Sequence, residues 1–355
     1  MRQTTTRQTT TAQAASGVQN TSGAQAATPA PAYQPPWWLR SGHAQTVFAS
    51  LGRGVPPVPY RRERLDTDDG DFLDLDWLAH EPSGSPRPLA VVAHGLEGNT
   101  HRPYMVGMAR TLHEAGFDVL AWNFRGCSEE PNRLLRSYHS GATDDLRRVL
   151  QHAERSAYTT FALVGFSLGG NLTLKYLAEE AGTAPGRIAA AVAISVPVDL
   201  AAGAAHLARW DNQGYMLYFM RKLRRKVYEK AQRYPALSTK GLDRMRTFQA
   251  FDDAYTAPIH GFRDADDYWA RCSAKPHLHR IAVPTLLLNA ADDPFLPPAC
   301  YPHAEAEANS KVTLEVSAYG GHVGFVTREG AYWSERRAAA FFAEHVTVES
   351  TADGG

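Results

Sequence analysis

Three residue types that can act together on an acyl group occur in a telling order along this chain. Ser167 lies at the centre of Gly165-Phe166-Ser167-Leu168-Gly169, the pair Asp292-Asp293 precedes Pro294, and His322 follows Gly320-Gly321. A serine hydroxyl is a poor nucleophile at neutral pH, so a neutral imidazole must take its proton as it attacks a carbonyl carbon. His322 is the candidate base, and it would later return the proton to the leaving group. A carboxylate would fix the imidazole tautomer and stabilise the imidazolium. Asp292 and Asp293 compete for that place. The usual strand-turn pattern, an acid, three residues and then proline, favours Asp293 with Pro297, and leaves Asp292 to cap the turn or face solvent. Such a site loses activity on acidification as imidazole protonates, near its reference value of about 6.5.

G-x-S-x-G alone is a weak signal, since a tight turn with an inert serine has the same letters. Its surroundings decide. Phe161-Ala162-Leu163-Val164 runs apolar into the turn and a helix-compatible stretch follows from Asn171, which is the strand-turn-helix setting of a nucleophile elbow. The helix would aim its N-terminal N–H groups and positive dipole end at a developing oxyanion. Upstream, the apolar run 88–93 leads straight into His94-Gly95-Leu96-Glu97-Gly98, a turn placed to supply a second donor. The oxyanion donors are therefore assigned to the backbone N–H groups of Leu96 and Leu168. Losing one such donor costs about 3 to 4 kcal/mol of transition-state stabilisation. His94 reads as a residue that fixes its loop by hydrogen bonding. Downstream, an apolar strand over 284–289 ends at the aspartate pair, and a last strand over 311–317 precedes His322.

Alternating strands and helices predict an α/β fold with a mostly parallel central sheet covered by helices on both faces. Residues 72–79 alternate like an early antiparallel edge strand, and 117–122 and 188–198 read as further strands. Helices are expected over 103–114, 144–155 and 332–345, the last covering the sheet edge. The rhythm breaks over about 199–273, where helical segments form an insertion expected to be a cap that supplies an acyl pocket and excludes water. Within it, Met216, Phe219, Met220, Leu223 and Val227 recur at helical spacing, with Arg221, Lys222, Arg224, Arg225 and Lys226 on other faces. That pattern fits a packed cap helix with a solvated basic face. It also fits a peripheral membrane contact, with the apolar side lining an acyl channel.

Further segments carry a resemblance. They include Pro36-Trp37-Trp38, Ser41-Gly42-His43-Ala44-Gln45-Thr46, Asp69-Gly70-Asp71-Phe72, Asn123-Phe124-Arg125-Gly126-Cys127-Ser128, Tyr138-His139-Ser140-Gly141, Thr143-Asp144-Asp145, Phe251-Asp252-Asp253, Thr256-Ala257-Pro258 and Asp267-Tyr268-Trp269. With the serine turn and the Asp-Asp-Pro turn, they resemble the YheT-like branch of the alpha/beta-hydrolases, a family of carboxylesterases and lipid hydrolases that includes ester-forming acyltransferases. Ala44 departs from the bulkier apolar residue often found there. The resemblance implies an alpha/beta-hydrolase domain over residues 36–348 with a helical cap insertion, and a triad at Ser167, Asp293 and His322.

Gross properties narrow the classes further. Lys plus Arg and Asp plus Glu number 37 each among 355 residues, so no global field favours nucleic acid or an anionic surface. Cys127, Cys272 and Cys300 are scattered and odd in number, which suits a reducing compartment. His277 and His279 read as surface histidines, and no metal or other cofactor is expected. Residues 1–35, rich in threonine, alanine and glutamine, and 349–355 read as disordered tails without the apolar block of a secretory signal. No stretch nears the roughly 20 apolar residues of a bilayer span, so the expected location is cytoplasmic.

The expectation is a serine hydrolase cleaving carboxylic esters, short-to-medium-chain acyl esters or lipids, through an acyl-serine intermediate. An acyltransferase passing the acyl group to an alcohol shares that intermediate. A non-catalytic binding module on the same scaffold is the remaining alternative.

Overall fold

The computed structural model describes residues 32–81, 87–156, 158–181 and 188–348. Eight strands form one sheet: β1 (Arg61–Asp66), β2 (Phe72–Leu78), β3 (Leu89–Ala93), β4 (Asp118–Asn123), β5 (Phe161–Phe166), β6 (Ile188–Ile194), β7 (Thr285–Ala290) and β8 (Val312–Ser317). Their order is β1-β2-β4-β3-β5-β6-β7-β8. β2 pairs antiparallel with β1 and with β4, and the remaining pairings are parallel. The order doubles back at β3. The chain therefore leaves β3 and β5 toward opposite faces, opening a crevice at their carboxyl ends.

The two-sided cover explains why the central strands read as unbroken apolar runs. Leu-Ala-Val-Val-Ala of β3 and Phe-Ala-Leu-Val-Gly-Phe of β5 are buried at every position. Helix α2 (Pro103–Glu114) sends Met105, Met108 and Leu112 into one face, alongside Ala338 and Phe342 of the C-terminal helix Trp333–His345. Helices α3 (Thr143–Arg155) and α4 (Leu168–Glu179) cover the other with Leu146, Val149, Leu172 and Leu177. The C-terminal helix was expected over the sheet edge, but it lies on the face, against β6 and α2. Its Ala338, Phe341 and Phe342 make a stripe that needs an apolar floor.

The expected edge strand, β2, lies inside the sheet instead. The true edge is β1, Arg-Arg-Glu-Arg-Leu-Asp, whose charges conceal a strand. Arg62 and Arg64 face Asp76 and Asp74 of β2 in register and pair with them at 2.5 and 2.8 Å. Cross-strand opposite charges thus replace apolar alternation, and a charged edge resists pairing with other chains. Another element without an apolar signal is α1 (Gly42–Leu51), capped by the Ser41 hydroxyl.

Between β6 and β7 the chain builds helices α5 (Leu200–Leu207) and α6 (Gln213–Arg233), a helical turn at Phe248–Phe251 that continues into a π-helical turn at Asp252–Thr256, and the helix Ala265–Cys272. They share a core of their own with Met216, Met220, Phe251, Tyr255 and Trp269. Of the tail expected over 1–35, residues 1–31 lie outside the described residues, as do 349–355. Tyr33 is buried, its hydroxyl 2.7 Å from Gln45 Oε1 and 2.8 Å from the Val326 carbonyl oxygen, so the folded domain reaches into that stretch. Among the described residues no helix is long and apolar enough to cross a membrane.

Candidate active site

Four loops at the carboxyl ends of parallel strands meet over the crevice. β5 ends at Phe166, and Ser167 turns the chain into α4 with φ 52° and ψ −116°. The close approach of strand and helix demands glycine on both sides. A Cβ on Gly165 would collide with the Gly169 carbonyl, and one on Gly169 would fall 2.5 Å from the His94 carbonyl oxygen. The second clash also shows how tightly the loop after β3 is seated against the serine turn.

Ser167, Asp293 and His322, widely separated in sequence, come together. Ser167 Oγ lies 2.9 Å from His322 Nε2, and His322 Nδ1 lies 2.9 and 3.1 Å from the two oxygens of Asp293. Asp293 is buried, and its Oδ1 also accepts the Phe295 N–H at 2.8 Å. Phe295 stacks on the imidazole with ring centroids 4.1 Å apart, closing that side to water. The imidazole's carboxylate partner is Asp293; Asp292 instead accepts the Gly321 N–H at 2.8 Å and so holds the histidine loop. Its carboxyl is raised above the usual range by burial, and its Oδ2 has no partner among the described residues.

Leu96 and Leu168 flank Ser167 from the two loops, and all three line one cavity. Neither amide donates to another group among the described residues. His94 is fully buried and bridges the loops after β3 and β4, its Nδ1 2.7 Å from the Gly95 carbonyl and its Nε2 accepting the Phe124 N–H at 3.2 Å. Burial pushes it down to about 3, so it stays neutral and structural. Cys127 is buried too, and burial pushes its thiol up to about 11, against any role as a nucleophile.

Several residues that hold the site gave no chemical signal in the sequence. Thr46 of α1 accepts the His322 N–H at 2.8 Å, and the Ser195 hydroxyl after β6 accepts the Val323 N–H at 2.9 Å. The family-like Asn-Phe-Arg-Gly-Cys-Ser loop is scaffold: buried Arg125 binds Asp145 at 2.7 Å and also reaches Asp69 and Asp71. Arg221 and Arg225 are exposed as expected, but Lys222 and Lys226 turn inward to Glu97. Lys222 meets the Glu97 backbone carbonyl, 125 residues earlier, and Lys226 its carboxylate, contacts that periodicity cannot reveal.

The cavity beyond Ser167 has a volume of about 170 Å³ and is walled mainly by Pro197, Leu200, Phe219, Leu223, Phe248 and Phe251. At its far side the carboxyl of Asp252 accepts bonds from Thr256 at 2.5 Å and Trp269 at 2.9 Å. Burial raises it to about 7. His277 and His279 sit on a 3-10 turn, and among the described residues no group of three or more His, Cys, Asp or Glu is gathered as for a metal ion.

Comparison with known proteins agrees with this architecture. A family model for the alpha/beta hydrolase fold matches residues 88–329. YheT of Escherichia coli (strain K12), named as an esterase, is 39% identical over 80% of this chain and 84% of its own. Phospholipase ABHD3 of Homo sapiens is 30% identical over 83% of this chain and 73% of its own. The Pyrococcus furiosus esterase Pf2001 superposes with a TM-score of 0.54 at 17% identity, covering 83% of this chain and 98% of that one, a likeness of fold.

Proposed function

Since the chain belongs to the alpha/beta-hydrolase family, on its YheT-like branch, we propose that it is a serine hydrolase that cleaves carboxylic esters through an acyl-Ser167 intermediate. The observation that carries this reading is the unbroken chain from Ser167 Oγ through His322 to buried Asp293. Ser167 Oγ adds to the ester carbonyl as its proton passes to His322 Nε2. The N–H groups of Leu96 and Leu168 receive the oxyanion. The ester C–O bond then breaks, and His322 delivers the proton to the departing alcohol. Water, deprotonated by the same imidazole, releases the carboxylic acid. Asp293 keeps the Nδ1 proton in place throughout.

The cavity favours an apolar acyl group of modest length, since 170 Å³ is close to the roughly 150 Å³ that accommodates one benzene-sized guest. A p-nitrophenyl ester series from acetate to palmitate should peak between butyrate and octanoate. A fluorophosphonate probe should label the protein, and Ser167→Ala should abolish both labelling and turnover. Labelling that persists in Ser167→Ala refutes the assignment, and an unlabelled wild type favours a binding module. Acyl transfer to an alcohol uses the same intermediate, and ethyl ester formed with ethanol present would reveal it. The three unpaired cysteines fit a reducing, cytoplasmic setting.

We also propose that substrate arrives from a lipid surface. Most of the exposed large apolar side chains among the described residues sit on two segments: Trp37, Trp38, Val47 and Leu51 on one, Trp210, Leu217 and Tyr218 on the other. His43 stacks on Tyr215 where those segments meet, and Tyr215 packs edge-on against Phe295 over His322. Exposed Arg209, Arg221 and Arg225 would complement anionic headgroups there.

A further inference from the structure

Glu97 is held at every polar group it has. Its N–H donates to the Tyr138 hydroxyl at 3.0 Å, and that hydroxyl donates to its Oε1 at 2.7 Å. Its carbonyl accepts from Lys222 Nζ at 3.0 Å and, more loosely, from the Arg102 guanidinium at 3.4 Å, and its carboxylate pairs with Lys226 Nζ at 2.8 Å. The residue is 6% exposed and adopts φ 54°, a left-handed conformation that a side chain other than glycine rarely takes. It directly follows Leu96, whose N–H is the proposed oxyanion donor. A strained residue clamped this thoroughly fixes the peptide planes beside it.

Both lysines come from the cap. Lys222, Lys226 and Lys230 lie four residues apart on α6, hence on one face, and all three turn down onto the rim. Lys230 donates to Asn132 Oδ1 at 2.9 Å and to the carbonyls of Leu134 and Arg136 at 2.5 and 3.1 Å, which seats the helix. The two lysines above it reach Glu97. We propose that Lys222 and Lys226 are positioning residues: through Glu97 they hold the loop after β3 in the conformation that presents the Leu96 N–H, so the oxyanion site is complete only while the cap is docked. This inference rests on the hydrolase reading and adds to it how the cap takes part in the reaction. A cap lifted to admit substrate would leave Glu97 to Tyr138 and Arg102 alone, loosen the loop and weaken one donor to the serine site until closure. Reaction in an open, wet site is thereby suppressed.

The test compares Lys226→Met, Lys226→Arg and Lys222→Met in the full-length protein, with p-nitrophenyl butyrate as substrate. The inhibitor is trifluoromethyl hexyl ketone, which captures the serine as a hemiketal oxyanion. Removing an oxyanion donor outright costs about 100- to 1,000-fold, so a donor loosened but present should cost about 30-fold in kcat. We expect that loss in Lys226→Met with KM within about two-fold, and the ketone weakened by a similar factor. Lys226→Arg should recover most of it, and Lys222→Met should lose about five-fold. Amide hydrogen exchange across residues 95–98 should quicken in both methionine variants. A raised KM with unchanged kcat and ketone affinity would make Lys226 a mere wall of the pocket and overturn the proposal. Unchanged exchange would overturn it equally. If Lys226→Met does not fold, half-buried Lys222 carries the same readouts. A wild type that neither labels nor turns over esters would sink the hydrolase reading instead, while hydrogen exchange would still decide whether the lysines hold the loop.

Discussion

Replacing Asp293 by asparagine distinguishes a carboxylate that orients the imidazole from one that merely lies beside it. Asp293 Oδ1 accepts the Phe295 N–H at 2.8 Å while Oδ2 lies 2.9 Å from His322 Nδ1. An asparagine has one oxygen for these two donors. If that oxygen stays with Phe295, the amide N–H group faces Nδ1, which must then become an acceptor. The ring proton moves to Nε2, and the nitrogen 2.9 Å from Ser167 Oγ can no longer take the hydroxyl proton. If the oxygen faces the histidine, two buried N–H groups oppose each other at Phe295. The wrong tautomer in a serine triad is worth about four decades in kcat, or roughly 5.5 kcal/mol at about 1.4 per decade. Asp292→Asn should behave differently, because one oxygen suffices for its bond from Gly321. Neutralisation also removes the cost of burying its charge, so the expected loss is under about three-fold. Steady-state kcat on p-nitrophenyl butyrate, with circular dichroism to verify folding, measures both. Equal losses in the two variants, or a loss below about ten-fold in Asp293→Asn, would refute the tautomer argument.

Two further outcomes concern the cap. Asp252 is raised to about 7 by burial, so the folded protein binds its proton more tightly than the unfolded chain, and stability falls as pH rises from about 4 toward 7; Asp252→Asn should flatten that part of the Tm–pH curve, and an unchanged slope would refute the assignment. Vesicles containing phosphatidylglycerol should co-sediment the wild type at low salt and lose Trp210→Ser/Leu217→Ser, whereas equal binding of both would remove the proposed lipid contact.

The parts of the fold that could be read from the sequence are those with an apolar period. β3, β5 and β7 appear as runs because each is buried in a covered sheet, the edge strand β8 appears by its β-branched residues, and α2 begins and ends where its proline and following glycine place it. β1 stayed hidden because ion pairs to β2 stabilise it. α1 stayed hidden because its inward residues include Gln45 and Thr46, whose partners lie in the histidine loop nearly 280 positions later. The resemblance identified Ser41–Thr46 as a signature without saying why. Its glycine now has a reason, since a Cβ on Gly42 would overlap the Asp292 carbonyl. The triad candidates were legible because nucleophile, acid and base each end a strand. Glu97 and its lysines were not, because an ion pair between separate elements leaves no local pattern.

One backbone feature ties these loops together. All five non-glycine residues with positive φ among the described residues belong to the rim: Glu97, Ser167, Ser195, Val323 and Phe325. Each strained position costs on the order of 1 kcal/mol or more, so together they oppose folding by roughly 5 kcal/mol, comparable with the whole net stability of a typical domain. Such strain persists only where neighbours over-determine it. Around Ser167 the neighbours are the Ile194 carbonyl, accepting its N–H at 2.9 Å, and the packed glycines. Val323 follows the histidine, and its N–H donates to Ser195, itself strained, so the loops after β6 and β8 brace each other. Glu97 differs in kind, because two of its restraints come from the cap. The loops of the proposed nucleophile and base are thus fixed by the sheet, while the loop carrying Leu96 depends in part on an inserted element. It follows that substitutions at Lys222 and Lys226 should act first on oxyanion stabilisation and leave the Ser167–His322 hydrogen bond intact.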